Sequence, residues 1–323
     1  VLPTLSGLWL LTFFIGPVMP LDPVLAIVGP DADASTYAQA YKELGLDKPL
    51  WTQFGGYLND LLHGNFGSAL LTGHPVIEDI ARVFPATLEL ATLAIVFGVL
   101  AGLPLGVYAA THQGRAGDHI ARLFTLFGYS TPIFWLGMMA FLVFYAWLGW
   151  AGGVGRIGLA YDGLIPTRTG LLLIDTALSG DWEAFRSALR HILLPAIILS
   201  FNSVAYISRM TRSFMLEQLS QEYIITARVK GLSQRRIVWG HAFRNIRVQL
   251  LTIVALAYGG LLEGAVLIET VFAWPGFGQY LTSSLLLGDM NAVMACVLLI
   301  GLIFVALNQI SDALYKVFDP RTR

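Results

Sequence analysis

Side chains able to do chemistry are few in this chain, and Glu263 is the most conspicuous because it lies inside the apolar stretch Leu250–Ile268. An ionised carboxylate at membrane depth is expensive unless paired or wetted. Glu263 therefore either lines a wetted path or sits near one end of its stretch, bonded to water or a neighbouring helix. Glu269 is followed by Phe272, Trp274, Pro275, Gly276 and Gly278. That stiff-then-flexible order suits a re-entrant or gating turn better than direct contact with a solute. His63, His74, His112, His119, His191 and His241 are scattered, and none forms the His-Glu-x-x-His pair of a zinc hydrolase. No metal site is expected, and the pair His63 and His74 comes nearest to suggesting nickel. Cys296 is the only cysteine, so neither an intrachain disulfide nor a CxxC site can form. A phosphate-cradling loop needs Gly-Lys-Ser/Thr, but Lys42, Lys48, Lys230 and Lys316 follow Tyr41, Asp47, Val229 and Tyr315. Nucleotide hydrolysis by this chain is not expected, and neither Gly-x-Ser-x-Gly nor a repeated carboxylate motif supports an intramembrane enzyme.

Lipid must surround the elements that carry these residues. Hydrophobic residues make up 56% of the 323 and charged ones 13%, against roughly 45–50% and about 25% in a soluble domain. The net charge of −1 gives no reason to expect nucleic acid. Apolar stretches approaching the roughly 20 residues of a membrane span lie at Leu2–Val18, Leu88–Ala110, Ile120–Leu148, Ile192–Ile207, Leu250–Ile268 and Met290–Leu314. Six crossings are predicted, with kinks or ragged ends near Pro3, Pro17, Pro104, Pro132 and Pro195. Gly98, Gly102 and Gly106 recur every fourth residue and predict close helix packing.

Basic residues set the orientation. Arg209, Arg212, Arg228, Lys230, Arg235, Arg236, Arg244 and Arg247 fall between the fourth and fifth stretches against only Glu217 and Glu222. Arg115 and Arg122 join the second to the third, and Lys316, Arg321 and Arg323 close the chain. The positive-inside rule places these segments, and both termini, in the cytoplasm. The predicted divisions are a first membrane helix over 1–20, an acidic external segment over 21–85 that includes Asp60, Glu78 and Asp79, a membrane core over 86–317 and a cytoplasmic tail over 318–323. A second external loop, about 149 to 190, opens with Gly149-Trp150-Ala151-Gly152-Gly153. Val1 starts an apolar stretch with no basic segment ahead of it, so the natural start is expected to be missing.

The basic connection carries helix punctuation. Ser220 is placed to cap a helix from Gln221, Glu222 lies near its positive end, and Gly231 can end it in a left-handed turn. Ser233 is placed to cap a second helix reaching about Arg244. Two short helices meeting at a tight corner, over about 215–245, would make an elbow suited to a groove on a cytoplasmic partner. Its arginines also suit anionic headgroups.

This elbow resembles the coupling loop of binding-protein-dependent ABC importers, whose motif is Glu-Ala-Ala, three residues, Gly, nine residues, Ile-x-Leu-Pro. The matching positions read Ile225-Thr226-Ala227, Gly231 and His241-Ala242-Phe243-Arg244, of which Ala227 and Gly231 agree outright. The dipeptide/oligopeptide ABC transporter permease family is more similar: Tyr223, Thr226, Ala227, Lys230, Gly231, Leu232, His241, Ala242, Arg244 and Asn245 all fit its pattern. Gln249 departs from it, standing where that branch commonly has proline. Leu44–Leu50, Pro85–Leu90, Pro132–Gly137, Glu269–Gly278 and Asp319-Pro320-Arg321 look like the same branch in order and spacing.

The resemblance implies an all-α integral membrane protein with the six-helix, MetI-like type I ABC importer fold, in the bacterial inner membrane. It further implies a second homologous permease subunit, two ABC ATPase subunits that use ATP and magnesium, and an external solute-binding protein, with no cofactor on this chain. Glu222, Tyr223, Thr226, Ala227, Lys230, Gly231, Leu232, His241, Arg244 and Asn245 would couple to the ATPases, and Glu263, Glu269, Phe272, Trp274 and Pro275 would form the path or gate. Related permeases usually have a small residue at the Glu263 position, so a carboxylate there favours a solute with a free amine or other cation. Dipeptides or oligopeptides are the first expectation, with glutathione, opines or nickel as alternatives. A stand-alone secondary transporter would instead show internal repeats and paired polar groups in several spans.

Overall fold

The computed structural model describes residues 2–15, 23–29, 31–43 and 45–318. Asp319-Pro320-Arg321 and the end of the first apolar stretch, 16–18, lie outside them. The helices are α1 (Leu2–Ile15), α2 (Pro23–Val28), α3 (Ala34–Glu43), α4 (Leu50–Leu62), α5 (Val76–Thr111), α6 (Ala116–Ser130) and α7 (Ile133–Ala140, continued as a π-helical turn over Phe141–Trp147). They are followed by α8 (Leu172–Ser179), α9 (Trp182–Leu219), α10 (Glu222–Val229), α11 (Arg236–Val271, π-helical over Arg236–Ala242), α12 (Phe277–Leu287) and α13 (Met290–Phe318). Among the described residues the only β pairing is an isolated antiparallel bridge between Ser68 and Pro75.

The chain divides into two units, Val1–Pro85 with Gly276–Val305, and Ala86–Pro275 with Ala306–Arg323. In the larger unit α9 packs against α6, α7, α8 and α11. On α11 the buried positions Ile246, Leu250, Ile253, Ala257, Leu261, Ala265 and Ile268 recur at helical spacing and build one wall of the core. Leu90 and Ala94 of α5 and Ile192, Leu199 and Ile207 of α9 complete it. The glycine row of α5 allows the close approach expected of it. A β-carbon on Gly102 would lie 3.1 Å from the Ile207 side chain, and one on Gly106 would lie 2.6 Å from both the Ser208 carbonyl oxygen and Thr211 Cβ.

Among the described residues α5, α9, α11 and α13 are long and apolar enough to cross a membrane, and α6 with α7 makes a fifth candidate if that bent pair is one span. The third stretch, Ile120–Leu148, where a kink was expected near Pro132, is broken by 99° between α6 and α7. Thr131, with φ −88° and ψ 128°, is driven out of the helical region by Pro132, which also lacks the N–H a continuing helix needs. The fourth stretch extends well beyond Ile192–Ile207, because Asp181 caps α9 by accepting from the Glu183 and Ala184 N–H groups at 3.1 and 2.9 Å, and the helix then runs for 38 residues. At 1.5 Å per residue it spans about 57 Å, more than the roughly 30 Å of hydrocarbon, so its polar ends project. The expected loop at 149–190 is therefore irregular only up to Leu171, with α8 and the start of α9 after it. Asp175 accepts from the Thr169 N–H and hydroxyl and the Gly170 N–H in that loop. Burial pushes its carboxyl up, but these hydrogen bonds outweigh it and hold the group below its ordinary value.

In the smaller unit Asp79, one of the acidic residues of the segment expected to be external, is buried. It pairs with Arg82 and accepts from the Thr72 hydroxyl and, at 3.4 Å, the Tyr280 hydroxyl. Burial first, then the Asp79 charge, pushes the Tyr280 hydroxyl far above its usual range. Asp289 is buried too, accepting from the Leu70 N–H at 2.6 Å and capping α13 through the Ala292 N–H at 3.2 Å. Two buried carboxylates thus fasten this part of the unit, Asp79 joining α5 to α12 and Asp289 joining the segment before α5 to the turn before α13.

Gly106→Val places two methyl groups and a β-carbon against the α9 backbone, where a strained insertion costs about 1–3 kcal/mol. The midpoint of thermal unfolding in detergent should fall clearly below that of wild type, whereas Gly264→Val, at a position with room for a β-carbon, should shift it far less.

Candidate functional site

The elbow is built around α10. Gly231 adopts φ +76°, which favours glycine over any residue with a β-carbon. Its N–H donates to the Arg228 carbonyl at 2.9 Å and the Leu232 N–H donates to the Ala227 carbonyl at 3.2 Å, the paired bonds of a Schellman turn. Ala227 and Leu232 then close onto an apolar cluster with Met215, Ile224, Ile237 and Ile246. The Tyr223 hydroxyl donates to Gln218 Oε1 and accepts from Asn245 Nδ2, both at 2.9 Å, so one side chain ties the end of α9, α10 and α11 together.

Two expectations about this elbow need correction. Ser220 does not cap α10: its hydroxyl donates back to the Glu217 carbonyl at 2.8 Å, and Gln221 precedes the helix without a side-chain cap. Nor is the second arm a separate short helix capped by Ser233. The Ile237 N–H bonds the Ser233 carbonyl at 3.0 Å, no side chain caps the first turn, and the chain continues as one 36-residue helix to Val271. Nothing between Arg244 and Leu250 breaks it, since Gln249 supplies an N–H that proline would lack.

The expected coupling residues fall on both sides of this frame. Glu222, Thr226, Lys230, Arg244 and Asn245 are exposed, while Tyr223, Leu232 and His241 are half-buried and Ala227 is buried. Ile225, quoted from the sequence only as a motif position, and Val229, which sequence reasoning missed, are 55% and 83% exposed one helical turn apart on α10. Two large apolar side chains on such a short exposed helix form an apolar patch bordered by Glu222, Arg228 and Lys230.

The second group lies at the far end of α11. Glu269 is buried and accepts from the Thr87 hydroxyl at 2.5 Å. Trp274 is buried and its Nε1 donates to the Ala86 carbonyl at 3.1 Å, while the Phe272 carbonyl accepts from the Gly155 N–H at 2.9 Å. The turn between them relies on Ala273 at φ +45°, the one non-glycine left-handed residue among those described. The Arg156 guanidinium lies 5.7 Å from the Trp274 ring and donates to Glu89 Oε2 at 2.7 Å, and Glu89 Oε1 also accepts from the Leu173 N–H. Arg156 and Glu89 carry no signal in sequence, because they are 67 positions apart.

Glu269, Phe272 and Trp274 therefore form a buried latch, with Pro275 exposed beside it. Glu263 is set apart, exposed on a flank of α11 with Leu256, Gly260, Leu267 and Thr270, and it makes no hydrogen bond or ion pair among the described residues. Among those residues, no three His, Cys, Asp or Glu side chains gather as metal ligands.

Comparison with known proteins shows the family of the chain. The family of binding-protein-dependent transport system inner membrane components matches residues 102–323, and the N-terminal family of the same membrane components matches 4–91. The chain belongs to this inner membrane component family. Among curated members, the di/tripeptide transport system permease protein DppB of Pseudomonas aeruginosa is 43% identical, aligned over 100% of this chain and 96% of its own length. The probable D,D-dipeptide transport system permease DdpB of Escherichia coli is 42% identical over 98% and 93%, and the dipeptide permease DppB of the same organism is 41% identical over 100% and 96%. A chain from an inward-facing crystal form of the MetNI methionine ABC transporter superposes with a TM-score of 0.52 at 17% identity, covering 74% of this chain and 97% of that one. That likeness establishes the fold as the importer transmembrane fold expected from sequence. Like other members of its family, the chain is a permease subunit of the inner membrane.

Tyr223→Phe removes both hydrogen bonds at the elbow while preserving the ring, a loss of about 0.5–1.5 kcal/mol for each bond. Hydrogen exchange should speed up across residues 218–245 and stay at wild-type rates in α5. An elbow as protected as in wild type would mean the Tyr223 hydroxyl does not tie these helices together.

Proposed function

We propose that this chain forms half of the translocation pathway of an ATP-driven importer for dipeptides or similar short peptides, working with a second homologous permease, two ATPase subunits and an external binding protein. Full-length identity of 41–43% to permeases named for dipeptides or di/tripeptides supports the solute class. The geometry that carries the coupling role is α10: a short helix locked by the Gly231 turn, with Ile225 and Val229 outward and basic residues around them. An ATPase groove would receive this helix. Because α11 continues from the elbow without a break, displacement of the elbow would rock the whole helix, carrying the Glu263 flank and the outer latch with it. ATP and magnesium would be used on the partner subunits. Both termini and the elbow are placed in the cytoplasm on the strength of the basic residues at 209–247.

Glu263 is assigned to the path, where its carboxylate would meet the free amine of a peptide. Glutathione, opines and nickel are the alternative solutes of the same importer class, and because each of them also offers a cation, Glu263 does not by itself choose among them.

Gly231→Pro removes a hydrogen-bonded N–H and demands a φ near −65° where the chain has +76°, a change worth about 3 kcal/mol or more. Solute-stimulated ATP hydrolysis by the reconstituted complex should drop at least tenfold, about 1.4 kcal/mol, while membrane insertion persists. Undiminished stimulation would remove α10 from the coupling role. Vesicles holding this chain alone should accumulate no dipeptide, and uptake by them would establish a stand-alone transporter instead. Glu263→Gln should lower uptake of dipeptides with a free amino terminus relative to N-acetylated ones. An unchanged ratio would take Glu263 off the path.

A further inference from the structure

A groove of about 800 Å³ opens between α6 and α9 at the end that carries Arg122, Arg209 and Arg212. Its charges are not balanced internally. Asp118 is consumed by Arg212 in a bidentate pair, Nε to Oδ1 at 2.7 Å and Nη2 to Oδ2 at 2.8 Å, and also accepts from the Gly114 N–H. Arg122 and Arg209 are exposed and form no ion pair among the described residues. Arg209 only leans on the Tyr129 ring, 5.3 Å from its centroid. Beside these two guanidinium groups the α6 surface turns apolar, with Leu123 and Leu126 66% and 61% exposed. Two unmatched cations above an exposed hydrocarbon surface, in a cleft between candidate spans, are complementary to an amphiphile with an anionic head.

We propose that this groove binds an anionic phospholipid of the adjoining leaflet, its phosphate held by Arg122 and Arg209 and its acyl chains laid along Leu123 and Leu126. Arginine suits the head because its planar fork can bond two phosphate oxygens at once. Basic pockets between membrane helices hold lipid headgroups by the same physics. The bound lipid would neutralise charge that α6 and α9 otherwise carry unpaired at the edge of the hydrocarbon. The site is separate from the elbow and the Glu263 flank, so it stands whichever solute is carried.

The test uses the full chain with its copurifying subunits in nanodiscs, and reads the preference for spin-labelled phosphatidylglycerol over phosphatidylcholine. Two arginines near a headgroup predict a preference of about thirtyfold. Arg122→Gln with Arg209→Gln should reduce it to about twofold or less, while Arg168→Gln, on the irregular loop before α8, should leave it intact. Equal binding of the two lipids by wild type, or an unchanged preference in the double variant, overturns the proposal. Displacement of the labelled lipid by millimolar glycerol phosphate also overturns it, since the groove would then be a site for a soluble anion. Should the double variant fail to fold, a photoreactive side chain at position 123 in otherwise native protein decides the matter. Crosslinking to phosphatidylglycerol supports the lipid site, and crosslinking to a protein subunit overturns it.

Discussion

Inside hydrocarbon a backbone has no solvent to bond, so a segment that crosses must satisfy its own N–H and carbonyl groups and becomes a rod. In this permease that requirement matters most in α11, which runs unbroken for 36 residues, about 54 Å. One end is locked to α10 through Tyr223 and Asn245. The other ends in the buried latch of Glu269, Phe272 and Trp274. A helix that cannot bend delivers displacement at one end to the other as tilt or rotation, and the packed row from Ile246 to Ile268 makes α9 and α7 the elements it must move against.

The two ends are fastened by different means. The elbow is held by local geometry: a left-handed glycine, two turn hydrogen bonds and one bridging tyrosine within about 30 residues. The latch at the far end of α11 depends on long-range partners, Thr87 and Ala86 on α5 and Gly155 on the irregular loop. Buried hydrogen bonds such as these are costly to leave unmade. The latch should therefore hold one arrangement or switch to another as a unit, since intermediate positions would stretch the Glu269–Thr87 and Trp274–Ala86 hydrogen bonds.

What could be read from sequence follows the same division. The Gly231 turn was legible because left-handed backbone is a property of the residue itself, and the Gly98, Gly102, Gly106 row was legible because its spacing is that of a helix face. Ser220 misled because a serine hydroxyl can bond back to the turn it follows as readily as forward to the next helix. The second arm of the elbow misled because capping residues signal a start without showing where a helix stops, and the stop depended on position 249. The burial of Asp79 was not legible since its partner Tyr280 is 201 positions away, and Glu269 hides its partner Thr87 for the same reason. Family membership was legible through the elbow and the Glu269–Gly278 segment, whose residue patterns are local.

The 99° break between α6 and α7 has a mechanical meaning of its own. Thr131 and Pro132 supply no continuous hydrogen-bond ladder across the bend, so the joint bears little bending moment. If α9 shifts, α6 can follow it through the Asp118–Arg212 clasp without forcing α7 to turn with it, so the corner between them has the mechanics of a universal joint.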